Sequence, residues 1–178
     1  MKLKIKVKVL TDGCMPEINE KGDWIDLKAA KDVELNAAQS GTLKRKTVEG
    51  EEVSYRNVEM ETSYIPLGVA MKLPGGFEAI IASRSSGPKK LNIFIPSGMG
   101  IIDQSYSGNE DEWNYVASSM KPATIHKGDR ICQFRIQLSQ KATVWQKIKW
   151  FLSSGIEFEQ VDDLGDDNRG GFGSTGVN

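Results

Sequence analysis

GIIDQSYSG, residues 100–108, joins two kinds of backbone within nine residues. The β-branched pair Ile101 and Ile102 favours an extended strand, and the polar DQSYSG that follows has the composition of a tight turn. A carboxylate, Asp103, therefore stands where a strand ends, with Tyr106 three residues beyond it. Such an aspartate either caps its own turn or offers its oxygens to a ligand, and the stretch alone leaves both readings open.

Outward from this stretch the chain reads as strands. Leu3, Ile5, Val7 and Val9 alternate with lysines, the period of a half-buried strand. TLKRKTV and EEVSYRNVEM flank Glu49-Gly50 as a polar β-hairpin inside a segment spanning 36–63. YIPLGVAMKLP and FEAIIAS read as a second hairpin around Gly75-Gly76, and LNIFIPSGMGII as a third around a Ser-Gly turn. ICQFRIQL and IEFEQV complete the set. Only the segment 141–155 has a helical period, with Val144, Ile148, Phe151 and Leu152 on one face expected to pack on the body or on a neighbouring subunit, and Gly155 as the stop. LGDDNRGGFGSTGVN is too rich in glycine to form a core element.

At 178 residues the chain suits one domain, 1–164, followed by a mobile arm, 165–178. With 23 basic and 24 acidic side chains there is no overall field to recruit nucleic acid or an anionic membrane. Cys14 and Cys132 lie far apart without metal-ligand spacing and read as free thiols, and the lone His126 has no histidine partner. The opening segment lacks the apolar run of a signal peptide, so a soluble cytoplasmic protein is expected.

Five stretches carry chemistry: GDWIDLKAA (22–30), SRSSGPKK (83–90), GIIDQSYSG (100–108), KGDRICQF (127–134) and NRGGFGSTG (168–176). Arg84 followed by Ser85 and Ser86 offers a guanidinium fork, two hydroxyls and backbone N–H groups to a phosphate. Arg169, Ser174 and Thr175 offer further donors, and Phe172 an aromatic face for a base. In this order the five stretches resemble the five motifs of the trimeric dUTPase family, over nearly the whole chain.

That resemblance implies an all-β fold, a β-clip or jelly-roll barrel, here with a short extra helix, an added hairpin and the glycine-rich C-terminal arm. It implies hydrolysis of dUTP to dUMP and pyrophosphate, which limits uracil incorporation into DNA and supplies dUMP for thymidylate synthesis. Asp103 is then the general base for water attacking the α-phosphorus. Ser97, Gly100, Ile101 and Ile102 read the uracil, Tyr106 lies against the deoxyribose, and Arg84, Ser85, Ser86 and Gln133 hold phosphates. Arg169, Phe172, Gly173, Ser174 and Thr175 close as a lid. Asp26 touches metal-bound water, with Mg²⁺ carried mainly by the triphosphate and no direct protein ligand. Arg130 buttresses the trimer or the arm. The family is a homotrimer with sites shared between subunits.

Three departures from the family pattern stand out. Asp23, Trp24 and Ile25 precede Asp26 where a small pair and a tyrosine are usual; Ser97 replaces an asparagine; and Arg169 precedes Phe172 by two residues fewer than usual. Two other readings remain open: a dCTP deaminase-type relative, and a phage dUTPase used as a regulatory switch that binds a protein partner through the hairpin 36–63 or the helix.

Overall fold

The computed structural model describes residues 1–19 and 22–171. The strands are β1 (Leu3–Val9), β2 (Glu17–Ile18), β3 (Ile25–Lys28), β4 (Val33–Leu35), β5 (Gln39–Val48), β6 (Glu51–Glu59), β7 (Ser63–Pro66) and β8 (Val69–Lys72). After them come β9 (Phe77–Ser83), β10 (Ile93–Phe94), β11 (Gly100–Ile102), β12 (Asn114–Ser119), β13 (Ala123–Ile125), β14 (Arg130–Leu138) and β15 (Ile156–Gln160). A π-type turn, Gly87–Leu91, and one helix, α1 (Val144–Phe151), interrupt them. The all-β class expected from the sequence is met.

The strands fall into five sheets, ordered β15-β1-β8, β10-β12-β7, β11-β9-β14-β3-β2, β13-β4 and β5-β6. In β1 the alternation is literal: Leu3, Ile5 and Val7 are fully buried while Lys4 and Lys6 face solvent. Its neighbours are β8, antiparallel, and β15, parallel, with Leu3 beside Ile156. The central core is completed by Phe77, Trp113, Tyr115 and Phe134, and Trp113 meets Phe134 edge-on at 5.2 Å. Cys14 and Cys132 are free and buried within it.

Two of the expected hairpins are corners instead. Left-handed Gly68 (φ +69°) breaks YIPLGVAMKLP into β7 and β8, which pair with β12 and β1 respectively. At Gly75-Gly76 the chain then leaves β8 for β9 in another sheet, and Gly76 N–H donates to Gln104 Oε1 at 2.8 Å. Likewise β10 pairs with β12 and β11 with β9, so the turn around Gly98 joins diverging strands. Sequence alternation shows that a strand exists, whereas a glycine turn leaves its partner undetermined. The hairpin β5-β6 does pair with itself, turning at Glu49 (φ +54°) and Gly50 (φ +89°), and is exposed along nearly its whole length.

Helix α1 starts at a capping box, in which Thr143 accepts from Gln146 N–H and Gln146 reaches back to the Thr143 N–H. Within the single chain Trp150 packs on the body, 5.4 Å from Phe77, while Val144, Ile148, Phe151 and Leu152 are exposed, Phe151 at 86%. Both sides of this short helix are apolar, and the bulkier tryptophan takes the groove. Truncation should follow burial: Trp113→Ala is expected to cost about 3–5 kcal/mol, and Phe151→Ser to stay within about 0.5 kcal/mol, as read by urea unfolding of each variant.

Candidate functional site

The five-stranded sheet carries Asp103, Arg84, Gln133 and Asp26 on or beside its strands, and β9 is its organiser. On one side β9 pairs with β11, Gly100 facing Ile81 and Ile102 facing Ala79. On the other it pairs with β14, Cys132 facing Ser83 and Gln133 facing Ala82. Because β11 runs antiparallel to β9, Asp103 lies one step beyond Ala79, at the start of β9, while Arg84 follows its end. Six residues of strand separate the two, about 20 Å at the usual rise.

The first half-site lies around Asp103. β11 is an edge strand of its sheet, so the outer side of its backbone has no strand partner among the described residues. Ile101 is 62% exposed there, and Ser97 spends its hydroxyl on its own turn, donating to Met99 O at 3.1 Å. The turn after β11 closes through Tyr106 N–H to Asp103 O, 3.0 Å. Tyr106 is half-buried and its hydroxyl donates to Glu112 O at 2.9 Å, which fixes the ring. Burial, with Asp111 and Glu112 nearby, raises its hydroxyl above the ordinary tyrosine value.

The Asp103 carboxylate, half exposed, accepts from the Arg169 guanidinium at 3.0 Å. That contact exists because the chain from Asp163 to Gly170 is tied to the loop 107–111. Asn109 meets Asp163 and Leu164 N–H, Ser107 donates to Asp166, and Asn168 exchanges hydrogen bonds with Glu110. Asp111, 2% exposed, accepts from the N–H groups of Gly108, Arg169 and Gly170 at 2.9–3.1 Å. Beyond it Gly171 passes the Tyr106 ring so closely that an added Cβ would sit 3.3 Å away. Phe172, Gly173, Ser174 and Thr175 lie outside the described residues.

The second half-site gathers Arg84, Ser85, Ser86, Gln133 and Asp26. Asp26, 5% exposed, binds two guanidinium groups: Arg84 Nε at 2.9 Å on one oxygen and Arg130 Nη1 at 3.2 Å on the other. Arg84 also donates to Arg130 O at 3.2 Å, and the Gln133 amide donates to Ser83 O at 3.4 Å. Beside them opens a cavity of about 260 Å³ lined by Arg84, Ser86, Lys90, Leu91, Asp129 and Arg130. Three cations and the Ser86 hydroxyl, against the single carboxylate of Asp129, suit a phosphate chain. In this chain Arg130 is paired with Asp26 beside that cavity.

Sequence reading missed Lys90 and Asp111. Lys90 enters the cavity because the π-type turn folds it back over Ser86, Lys90 N–H donating to Ser86 O at 2.8 Å. Asp111 sits in the acidic run NEDE, which reads as a solvated surface, and only the contact with residues 169–170 gives it meaning. Burial alone would raise its carboxyl, but hydrogen bonds from the N–H groups of Arg169, Gly108, Gly170 and Ser107 outweigh that and hold it below the ordinary aspartate value. Its stabilising effect is thus fully present above the ordinary aspartate range and is lost as pH falls through its own lowered value. Carboxyl-carbon NMR titration should find Asp111 ionising at lower pH than an unstructured aspartate.

The dUTPase family model matches residues 51–176. The SPbeta prophage-derived deoxyuridine 5'-triphosphate nucleotidohydrolase YosS of Bacillus subtilis is 38% identical over 177 residues, covering 98% of this chain and 99% of the relative. Among solved structures, a point mutant of the dUTPase from Staphylococcus aureus phage phi11, described with a structural Mg(II) ion, superposes with a TM-score of 0.58 at 18% identity, over 79% of this chain and 94% of that one. The dUTPase of Staphylococcus bacteriophage 80alpha, described as controlling transfer of virulence genes, gives 0.56 at 20% identity, over 79% and 93%.

Proposed function

This chain belongs to the dUTPase family and hydrolyses dUTP to dUMP and pyrophosphate, and from that premise we propose how its two half-sites divide the work. The observation that carries the reading is the placement of Asp103, an exposed carboxylate at the end of an edge strand, 3.0 Å from an arginine of the arm. Asp103 is the general base that takes a proton from the water attacking the α-phosphorus. The edge of β11, from Gly100 to Ile102, meets the uracil as a further strand would, and the turn at Ser97 borders it. Tyr106 backs the deoxyribose, and its anchored hydroxyl keeps the ring from yielding to a 2′-hydroxyl.

Arg84, Ser85, Ser86 and Gln133 bind the phosphates, joined by Lys90 and Arg130. Asp26 orients Arg84 and Arg130 toward them, an indirect role that its two ion pairs favour over contact with metal-bound water. Mg²⁺, held mainly by the triphosphate itself, would supply charge neutralisation when bound. Arg169 leaves Asp103 for a phosphate as the lid, Phe172, Gly173, Ser174 and Thr175, closes.

Roughly 20 Å of strand at the usual rise separates Asp103 from Arg84. We infer that each complete site joins the Asp103 half of one subunit to the Arg84 half of another, in a homotrimer. Pyrophosphate release with Mg²⁺ should be confined to dUTP among dUTP, dTTP, dCTP and UTP, and Asp103→Asn should lower it by about 10²–10⁴-fold. When Asp103→Asn and Arg84→Ala chains, each inactive alone, are unfolded and refolded together, activity should return. Persistent inactivity of the mixture would place both halves in the same subunit's service.

A further inference from the structure

We propose that Asp111 is a positioning residue for this reaction: its carboxylate grips the backbone at Arg169 and Gly170 and stations the Arg169 guanidinium at Asp103. The inference deepens the proposed function and rests on Arg169 and Asp103 acting together.

A buried carboxylate that accepts three backbone N–H groups is a strong, charge-assisted anchor, and two of those donors belong to consecutive arm residues. The third, Gly108 N–H, locks the carboxylate to its own loop. Gly108 also lets the arm come close, because a Cβ there would collide with Asn168. The arm's backbone is therefore fixed in register one residue from the guanidinium, and Lys72, bound to Asp166 at 2.6 Å, fixes it three residues earlier. The Arg169 side chain remains to move when a triphosphate arrives. The guanidinium exchanges one anion, Asp103, for another, a phosphate oxygen, while its backbone stays put. The exchange releases the Asp103 carboxylate to take its proton in the same event.

The test is a double-mutant cycle on the full chain: wild type, Asp111→Asn, Arg169→Ala and the double variant, assayed on dUTP with Mg²⁺. The amide keeps the size of the carboxylate but turns one acceptor into a donor facing N–H groups. Asp111→Asn should lower kcat/KM by about 10–100-fold, the scale of a misplaced catalytic group, and should add nothing in the Arg169→Ala background. Gly108→Ala, which obstructs the arm without touching the charge, should act in the same direction. Losses that multiply in the double variant would overturn the proposal, as would full activity of Asp111→Asn. Hydrogen exchange at the Arg169 and Gly170 amides reads the clamp without substrate. It should quicken in Asp111→Asn, and unchanged exchange would overturn the clamp even if hydrolysis of dUTP proved absent.

Discussion

Everything functional in this chain hangs on the length of one strand. β9 is held on both sides, by β11 and by β14, and a paired strand can neither shorten nor bend its ends together. Its start lies beside the Asp103 carboxylate and the open edge of β11, and its end leads into the cluster of Arg84, Lys90 and Arg130. Separating the two groups along a rigid strand makes each simple to build.

Within each half a buried aspartate does the same physical job on different partners. Asp26 fixes two guanidinium groups, and Asp111 fixes two backbone N–H groups of the arm. Neither needs to touch a substrate. Buried carboxylates survive only where their charge is answered by hydrogen bonds, so each is bound to hold its partners in one geometry. Asp103 differs in being half exposed and bound to a single arginine. It is the one of the three whose partner can be exchanged without leaving a charge stranded in the interior.

The sequence made the strands legible because alternation is a local property: Leu3, Ile5 and Val7 declare a buried face without knowledge of what covers it. Strand partners were less legible. Gly75-Gly76 has hairpin chemistry, yet serves as a corner between sheets, since β8 is taken by β1 and β9 by β14. On α1, periodicity found an apolar face, but burial went to Trp150, because a single indole against Phe77 outweighs several smaller contacts. Asp103, Arg84 and Tyr106 stood out in the sequence through the ordered motifs that resemble the family, since each local pattern alone left its role open. Asp111 did not, since a carboxylate that answers backbone N–H groups 58 residues away looks like any surface acid.

The parallel pairing of β1 with β15 also bears on how the chain comes to be folded. Leu3 finds its register partner in Ile156, so β1 has an open flank until a strand far along the chain is in place. Closing so long a loop is slow compared with forming local contacts, and an apolar strand with one unpaired edge is a template for association with other chains in the interval. The lysines that alternate through β1 put charge along that waiting strand. Charge of that kind on an open strand opposes its pairing with other chains.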